Sequence, residues 1–314
     1  MSRKLELLAL DSRMEDSEPD LDDFLKKSFL NLDKIDENIY RSTYLLHPKY
    51  TKSVFGGQLI GQALVAAAKT VPESQFAHSL HCYFLQGGSG DRPVVYYVDR
   101  TRDGKTYCSR TVKAIQRGKA VLTMQTSFKK EETDPYQHQF KMPKTVGPDN
   151  LLNTMDLAKI ALESRNLPEK RKTMLGMFLD EPMNVEVRPI NPMHLARVKP
   201  HAPHRKVWMR ACGHIGDDIN MHKCAAAYMS DLMLLDVALM PAETGTSFSI
   251  TSLDHSMWFH NPFHANEWML YEMESPHCGS GRSLSLGRLW RSDGVLAMSI
   301  SQEGVIRTVV DSKL

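Results

Sequence analysis

Ala225-Ala-Ala-Tyr-Met-Ser-Asp-Leu-Met-Leu-Leu-Asp-Val-Ala-Leu-Met240 is the stretch on which the fold turns. Its apolar residues do not keep to one stripe. Tyr228, Leu232, Leu235 and Leu239 line one side, while Met233, Leu234, Val237 and Met240 cover the others. A helix lying on a sheet needs only one apolar face, so a helix apolar nearly all round has to be enclosed. Strand-like stretches near 267–274, 282–290 and 294–302 follow it in the chain and supply the material to enclose it.

The same order of elements occurs earlier. Phe55-Gly-Gly-Gln58 opens a run of small and apolar residues to Val71, then strand-like stretches lie near 78–85, 93–99, 105–115 and 119–128. His78-Ser79 matches His255-Ser256, and Val121-Leu-Thr-Met124 matches Val295-Leu-Ala-Met298, at offsets of 177 and 174 residues. This is an internal duplication. A helix followed by consecutive strands predicts an α+β fold with an antiparallel sheet. A sheet curled about a central helix is a hotdog, and two in one chain make a double hotdog with two long central helices.

The reading divides the chain at fixed places. Residues 1–30 are an acidic lead-in, with seven acids and one arginine between 11 and 23. Residues 31–130 form the first copy, 131–180 a polar linker with a helical segment, and 181–311 the second copy. Residues 312–314 stand apart: Ser312-Lys313-Leu314 is the tripeptide that an import receptor reads as an address for the peroxisome. The expected location is the peroxisomal matrix, where acyl chains are handled as coenzyme A thioesters.

Composition excludes several classes. A net charge of +2 with acids and bases mixed gives no broad nucleic-acid surface. No apolar run reaches the roughly 18 residues that cross a bilayer. The five cysteines form no close pair, and His201/His204 and His260/His264 have no partners at metal-site spacing. No metal site is expected.

Asp231 is the anomaly in the enclosed helix, because a carboxylate among apolar residues costs several kcal/mol unless it is hydrogen-bonded or paired. A strand near 247–255 turns Phe248, Ile250 and Ser252 to one face, and the strand near 294–302 turns Leu296, Met298, Ile300 and Gln302 to one face. Both faces look at the helix, so Ser252 and Gln302 converge on Asp231. Three polar groups in an apolar interior suit a hydrolytic site. Asp231 accepts a proton from water, Gln302 holds that water or a substrate oxygen, and Ser252 fixes its direction. Backbone N–H groups at the helix start favour a growing negative charge. The first copy has Gln58, Gln75 and Phe128 at the matching places, so it is expected to be catalytically silent.

Phe55-Gly-Gly-Gln58, His78-Ser-Leu-His-Cys-Tyr-Phe84, Leu253-Asp-His-Ser-Met-Trp-Phe-His260 and Gln302-Glu-Gly-Val-Ile-Arg307 resemble the double-hotdog acyl-CoA thioesterases of the bacterial thioesterase II type. The resemblance runs from about residue 35 to 310. It implies hydrolysis of fatty acyl-CoA to free fatty acid and coenzyme A by activated water. The family's catalytic Asp, Ser or Thr, and Gln fall by motif on Asp231, Ser252 and Gln302. It implies no cofactor, acyl-CoA as the substrate partner, and leaves a homo-oligomer open.

His78, Asp254 and His255 are candidates for contact with substrate or with the trio, the histidines alternatively being buried and bonded to backbone. The Gly87–Asp91 turn is a candidate phosphate cradle or a plain loop. Arg282, Arg288, Arg291 and Arg307 are candidates for the coenzyme A phosphates. Two rival functions stay open: an acyl-CoA hydratase or dehydratase on the same fold, and an acyl-CoA binding protein without catalysis.

Overall fold

A computed structural model describes residues 30–46, 53–163, 167, 169–179, 184–196 and 199–309. The acidic stretch at 11–23 and the Ser312-Lys313-Leu314 end lie outside the described residues. In the first half, β1 (Leu32–Asp36) and β2 (Ile39–Ser42) precede α1 (Gly56–Ala68), and β3 (Phe76–Phe84), β4 (Val95–Asp103), β5 (Tyr107–Gln116) and β6 (Lys119–Lys129) follow. Helices α2 (Thr154–Leu162), α3 (Glu169–Leu179) and α4 (Met193–Ala196) lie between the halves or beside the second. The second half has β7 (Val185–Pro189), β8 (His204–Ala211), α5 (Ile219–Ser230), β9 (Phe248–Ser252), β10 (Asp254–Phe259), β11 (Met269–Gly279), β12 (Arg282–Arg291) and β13 (Leu296–Thr308).

The strands form one open, antiparallel sheet in the order β1-β2-β4-β5-β6-β3-β10-β13-β12-β11-β8-β7, with β9 paired to β13 off this path. Read outward from the β3–β10 junction, the two halves repeat: β3, β6, β5, β4, β2, β1 on one side and β10, β13, β12, β11, β8, β7 on the other. At the junction Leu80 faces Met257, Ser79 faces Trp258 and His81 faces Ser256. Leu80 and Met257 are equivalents at the 177-residue offset, so a local two-fold axis passes through that pair. The duplication in sequence is therefore a two-fold in space. Strands β1, β2, β7 and β8 escaped the sequence reading, though β8 buries Val207, Trp208, Met209 and Ala211 in a partly alternating run.

The helices differ from expectation. They have 13 and 12 residues, about three turns each, and are not long. The apolar run 225–240 is not one helix. α5 begins at Ile219, where the Asp218 side chain accepts from the Asn220 N–H, and it ends at Ser230. Asp231 caps it, Met233 takes a positive φ of 66°, and Leu235–Leu239 forms a short 3₁₀ turn. The helix starts six residues before the apolar run at Ala225 and includes His222 and Lys223, both buried.

The helices are enclosed by each other as well as by the sheet. α1 and α5 contribute to a single core with the inner faces of both halves. Their approach depends on Gly57 and Gly61. A Cβ on Gly57 would lie 2.4 Å from the Tyr228 carbonyl oxygen, and one on Gly61 would lie 3.1 Å from that of Cys224. The start of α1 thus lies beside the end of α5, and the two helices run antiparallel. Residues 247–255 also split: Ser252 ends β9 and Asp254 opens β10, with Leu253 N–H bonded to the Glu303 carbonyl between them.

Gly57→Ala is expected to cost ~1–3 kcal/mol, because a backbone carbonyl cannot give way as a flexible side chain can. Gly147→Ala, with φ of −69° and open space about it, should be neutral or stabilising by about 0.4–1 kcal/mol. Urea midpoints of the two variants test this contrast. Equal midpoints would remove the helix contact as a constraint.

Candidate active site

Asp231 stands where the last turn of α5 meets the first turn of α1. Two elements from distant parts of the chain, β13 and α1, hold it. Gln302 Nε2 donates to Asp231 Oδ1 at 2.7 Å and to Ser252 Oγ at 3.0 Å. The Gly57 backbone N–H donates to the carboxylate from the start of α1. The other carboxylate oxygen faces Gly56, where a Cβ would come within 2.9 Å of Oδ2 and 3.0 Å of the Phe84 ring. Glycine there leaves that oxygen uncrowded.

Alternation does bring the trio together. Gln302 follows Ile300 and Met298 on the inner face of β13 and is fully buried. Ser252 ends β9 opposite Gly304, two residues from Gln302 on the neighbouring strand. Both hydrogens of the Gln302 amide are used, one on each partner. Ser252 accepts one of them, so its own hydroxyl hydrogen is left to point elsewhere.

Burial raises the Asp231 pKa above the usual carboxylate range, while Gln302 and the Gly57 N–H pull it back. The same carboxylate, after burial, pushes the Cys82 thiol and the Tyr271 phenol upward, so both stay protonated near neutrality. Tyr271 donates to the Ser230 carbonyl at 2.7 Å and holds the end of α5. The helix N–H that reaches the site comes from α1, not from the start of Asp231's own helix. Nothing in the sequence reading anticipated that, because Gly57 and Asp231 lie far apart in the chain.

Three further candidates occupy distinct places. His255 is fully buried, with Nε2 2.9 Å from Ser230 Oγ. Burial drives its pKa down to about 4 against a raising contribution from Gln302. Asp254 Oδ1 accepts the Glu303 backbone N–H at 3.1 Å and so anchors the strand beyond Gln302. Burial raises its pKa, partly offset by that N–H. His78 bonds Ser127 Oγ at 2.8 Å and meets the Tyr107 ring edge-on; no contact joins it to the trio. Its pKa is lowered by burial, then by Lys129 and Lys223. Both histidines bond serine hydroxyls, where backbone was the alternative expected.

Other candidates are already engaged. In the 87–91 turn the Ser89 N–H donates to Gln116 Oε1 at 2.7 Å and Asp91 pairs with Arg117, so the loop is internally closed. Arg282 pairs with Glu303, Arg288 with Glu272 and Glu274, and Arg291 with Asp293. Arg307 contacts the Gly281 carbonyl at 3.4 Å. Among the described residues no three metal-ligating side chains cluster, and no helix is long and apolar enough to cross a membrane.

The two-fold corrects one correspondence. Phe128 does match Gln302, since Ser127 faces Ser79 as Ser301 faces Ser256. Gln58 does not match Asp231: it lies in the first turn of α1, donating to the Tyr44 carbonyl and accepting the Leu46 N–H. The residue that caps α1 as Asp231 caps α5 is Lys69. It lines a cavity of about 490 Å³ with Gln75, Arg100, Lys105 and Arg110. The first half has a cation where the second has its carboxylate.

Comparison with known proteins agrees with the duplication. A family model described as acyl-CoA thioesterase matches residues 179–305, and one described as acyl-CoA thioesterase N-terminal domain matches residues 46–129. Acyl-coenzyme A thioesterase 8 of Rattus norvegicus is 46% identical over 309 residues, covering 97% of this chain and 96% of the rat protein. The crystal structure of an acyl-CoA thioesterase II from Mycobacterium marinum superposes with a TM-score of 0.71 at 33% identity, covering 92% of this chain and 99% of that one. A protein with hot dog fold from Alicyclobacillus acidocaldarius superposes with a TM-score of 0.70 at 17% identity over 90% of this chain and 98% of that one, which shows the fold alone. A carboxylate held by the Gln302 amide and the Gly57 N–H, two matching halves and relatives over nearly the whole length lead to one assignment: the chain belongs to the acyl-CoA thioesterase II family.

Proposed function

We propose that the chain hydrolyses fatty acyl-CoA to free fatty acid and coenzyme A, with Asp231 as the general base. The observation that carries this is the Gln302 amide, bonded at once to the Asp231 carboxylate and to Ser252. A water near Oδ2 and the free Ser252 hydroxyl hydrogen gives its proton to Asp231 as its oxygen attacks the thioester carbonyl. Negative charge then grows on the carbonyl oxygen. The positive end of α1, which already contacts Asp231 through Gly57, is the nearby element suited to stabilise it. Collapse of the tetrahedral intermediate breaks the C–S bond, and the departing thiolate takes the proton back from Asp231.

The rest of the reading follows from the same residues. The fold is a double hotdog whose two helices share one core beneath the open sheet. The first half does not catalyse, having Lys69 and Phe128 where the second has Asp231 and Gln302. Ser312-Lys313-Leu314 would direct the chain to the peroxisomal matrix through an import receptor. A hydratase or a simple carrier has no observation in its favour: among the described residues no histidine pairs with Asp231, and desolvating three polar groups gains a carrier nothing.

Asp231→Asn should lower kcat by about 10²–10⁴-fold, measured as free thiol released from acyl-CoA. Near-normal turnover in the folded variant would refute the role of Asp231. The same variant should melt higher at neutral pH. A carboxyl whose folded pKa is raised costs stability while ionised, and that cost shrinks as pH falls below its folded value and is gone below its unfolded one. Each kcal/mol relieved is worth roughly 2–4 °C.

Asp231 must be ionised to act, so kcat/KM should fall as pH drops through its raised pKa. Gln302→Leu removes a bond that lowers this pKa, and the acid limb should move to higher pH along with a loss of rate. A limb that stays in place would show that the amide does not act on the carboxylate.

A further inference from the structure

Gln302 can serve two partners only if its amide points one way, and the two ends of an amide are nearly the same size. If it turned over, its carbonyl would face the Asp231 carboxylate and the hydrogen bonds to Asp231 and Ser252 would be lost. Something has to hold the Gln302 Oε1 end. Oε1 is buried without a hydrogen-bond partner among the described residues, and the same is true of His255 Nδ1. These two atoms belong to neighbouring residues. Ser256 faces Ser301 across the β10–β13 ladder, and the next position sets His255 across from Gln302. Both side chains are fully buried.

We propose that His255 is a positioning residue: its neutral ring donates Nδ1–H to Gln302 Oε1 and thereby keeps the amide hydrogens on Asp231 and Ser252. Hydrogen-bond inventory selects this tautomer. If Nε2 carried the proton, it would donate to Ser230 Oγ, 2.9 Å away, and Nδ1 would be a bare acceptor facing another acceptor. Two buried atoms would then go unsatisfied, which native interiors avoid. With the proton on Nδ1, the Ser230 hydroxyl turns its hydrogen from the Ala227 carbonyl, 2.9 Å away, to Nε2, also at 2.9 Å, and both Gln302 Oε1 and His255 Nδ1 gain a partner. Burial keeps the ring uncharged near neutral pH, its pKa lying at about 4.

The chain of contacts has a further consequence. Ser230 is the last residue of α5 and immediately precedes Asp231. Its hydroxyl reaches His255, and its carbonyl accepts the Tyr271 phenol at 2.7 Å. The helix end that carries the carboxylate therefore also sets the ring that orients the carboxylate's amide partner. His255 does not touch substrate. It acts through Gln302, and the inference rests on the assignment of Gln302 to the site made above.

The experiment is ¹⁵N NMR of the full-length protein labelled at histidine, with the His255 signals identified as those absent from His255→Asn. At neutral pH a neutral ring with the proton on Nδ1 is expected. A proton on Nε2, or a charged imidazolium, would overturn the proposal. Kinetics supply a second arm. Asparagine can place an N–H near the Nδ1 position, whereas glutamine reaches only the Nε2 position. His255→Asn should keep kcat within about threefold of the parent, while His255→Gln and His255→Leu should lose about 10–100-fold in kcat with KM little changed. A purely structural role predicts that kcat follows the melting temperature in all three variants, and that result would overturn the proposal. If the variants do not fold, the tautomer in the parent protein decides. Full turnover in Asp231→Asn would instead overturn the function proposed above, whatever the state of His255.

Discussion

A carboxylate at the meeting point of two helix ends is the constraint on which the rest of the structure depends. The end of α5 carries partial negative charge, so an acid there is unfavourable by itself. The start of α1 carries the opposite sign and presents the Gly57 N–H to Asp231. Contact that close requires residues without side chains on α1, and Gly56, Gly57 and Gly61 supply them. Burial still leaves the acid with a raised pKa, a useful property in a base and an expensive one in a core. The amide of Gln302 offsets part of that cost, which is why a buried glutamine is tolerated on an otherwise apolar strand face.

Duplication supplies the asymmetry that this arrangement needs. The sheet repeats about its axis, but the helix ends do not. At the end of α1, Arg110 is fully buried and donates to Thr70 Oγ1 at 2.8 Å and to the Thr70 carbonyl at 3.0 Å. A cation there suits the negative end of a helix. Arg110 faces Thr126, and the equivalent pair in the second half is Gly287 facing Ile300. Gly287 makes room for the Tyr271 ring, since a Cβ would lie 2.7 Å from it. Tyr271 then holds the Ser230 carbonyl without bringing a positive charge. An arginine in that place would pair with Asp231 and lower its basicity. One half is closed by a cation and the other keeps a carboxylate with no cation beside it among the described residues.

Much of this was legible in the residues, and the limits are physical. Period-two alternation placed Ser252 and Gln302 inward because a strand has only two faces, and the offset motifs revealed the repeat. The helix boundary misled. Residues 232–240 are as apolar as a helix core, yet they pack as a turn and a 3₁₀ segment, with Ala238 and Leu239 against Ile306. Composition cannot distinguish these, since both bury apolar surface. Matching Gln58 to Asp231 failed for a related reason. Linear alignment pairs positions along the chain, whereas a two-fold axis sets the start of one helix beside the end of the other.

The amino-acid sequence by itself determined the repeat, the antiparallel strands, the inward faces of β9 and β13, and the three residue types that make the candidate site. These depend on local periodicity and on short motifs, which a chain displays before it folds. Only the tertiary structure decided that Gly57 completes the surroundings of Asp231, that Lys69 is the counterpart of that acid, and that His255 lies across from Gln302. Each is a contact between residues far apart in the chain, produced by antiparallel helices and by strand register. Such contacts are set by how the two halves pack, and no window of sequence contains both partners.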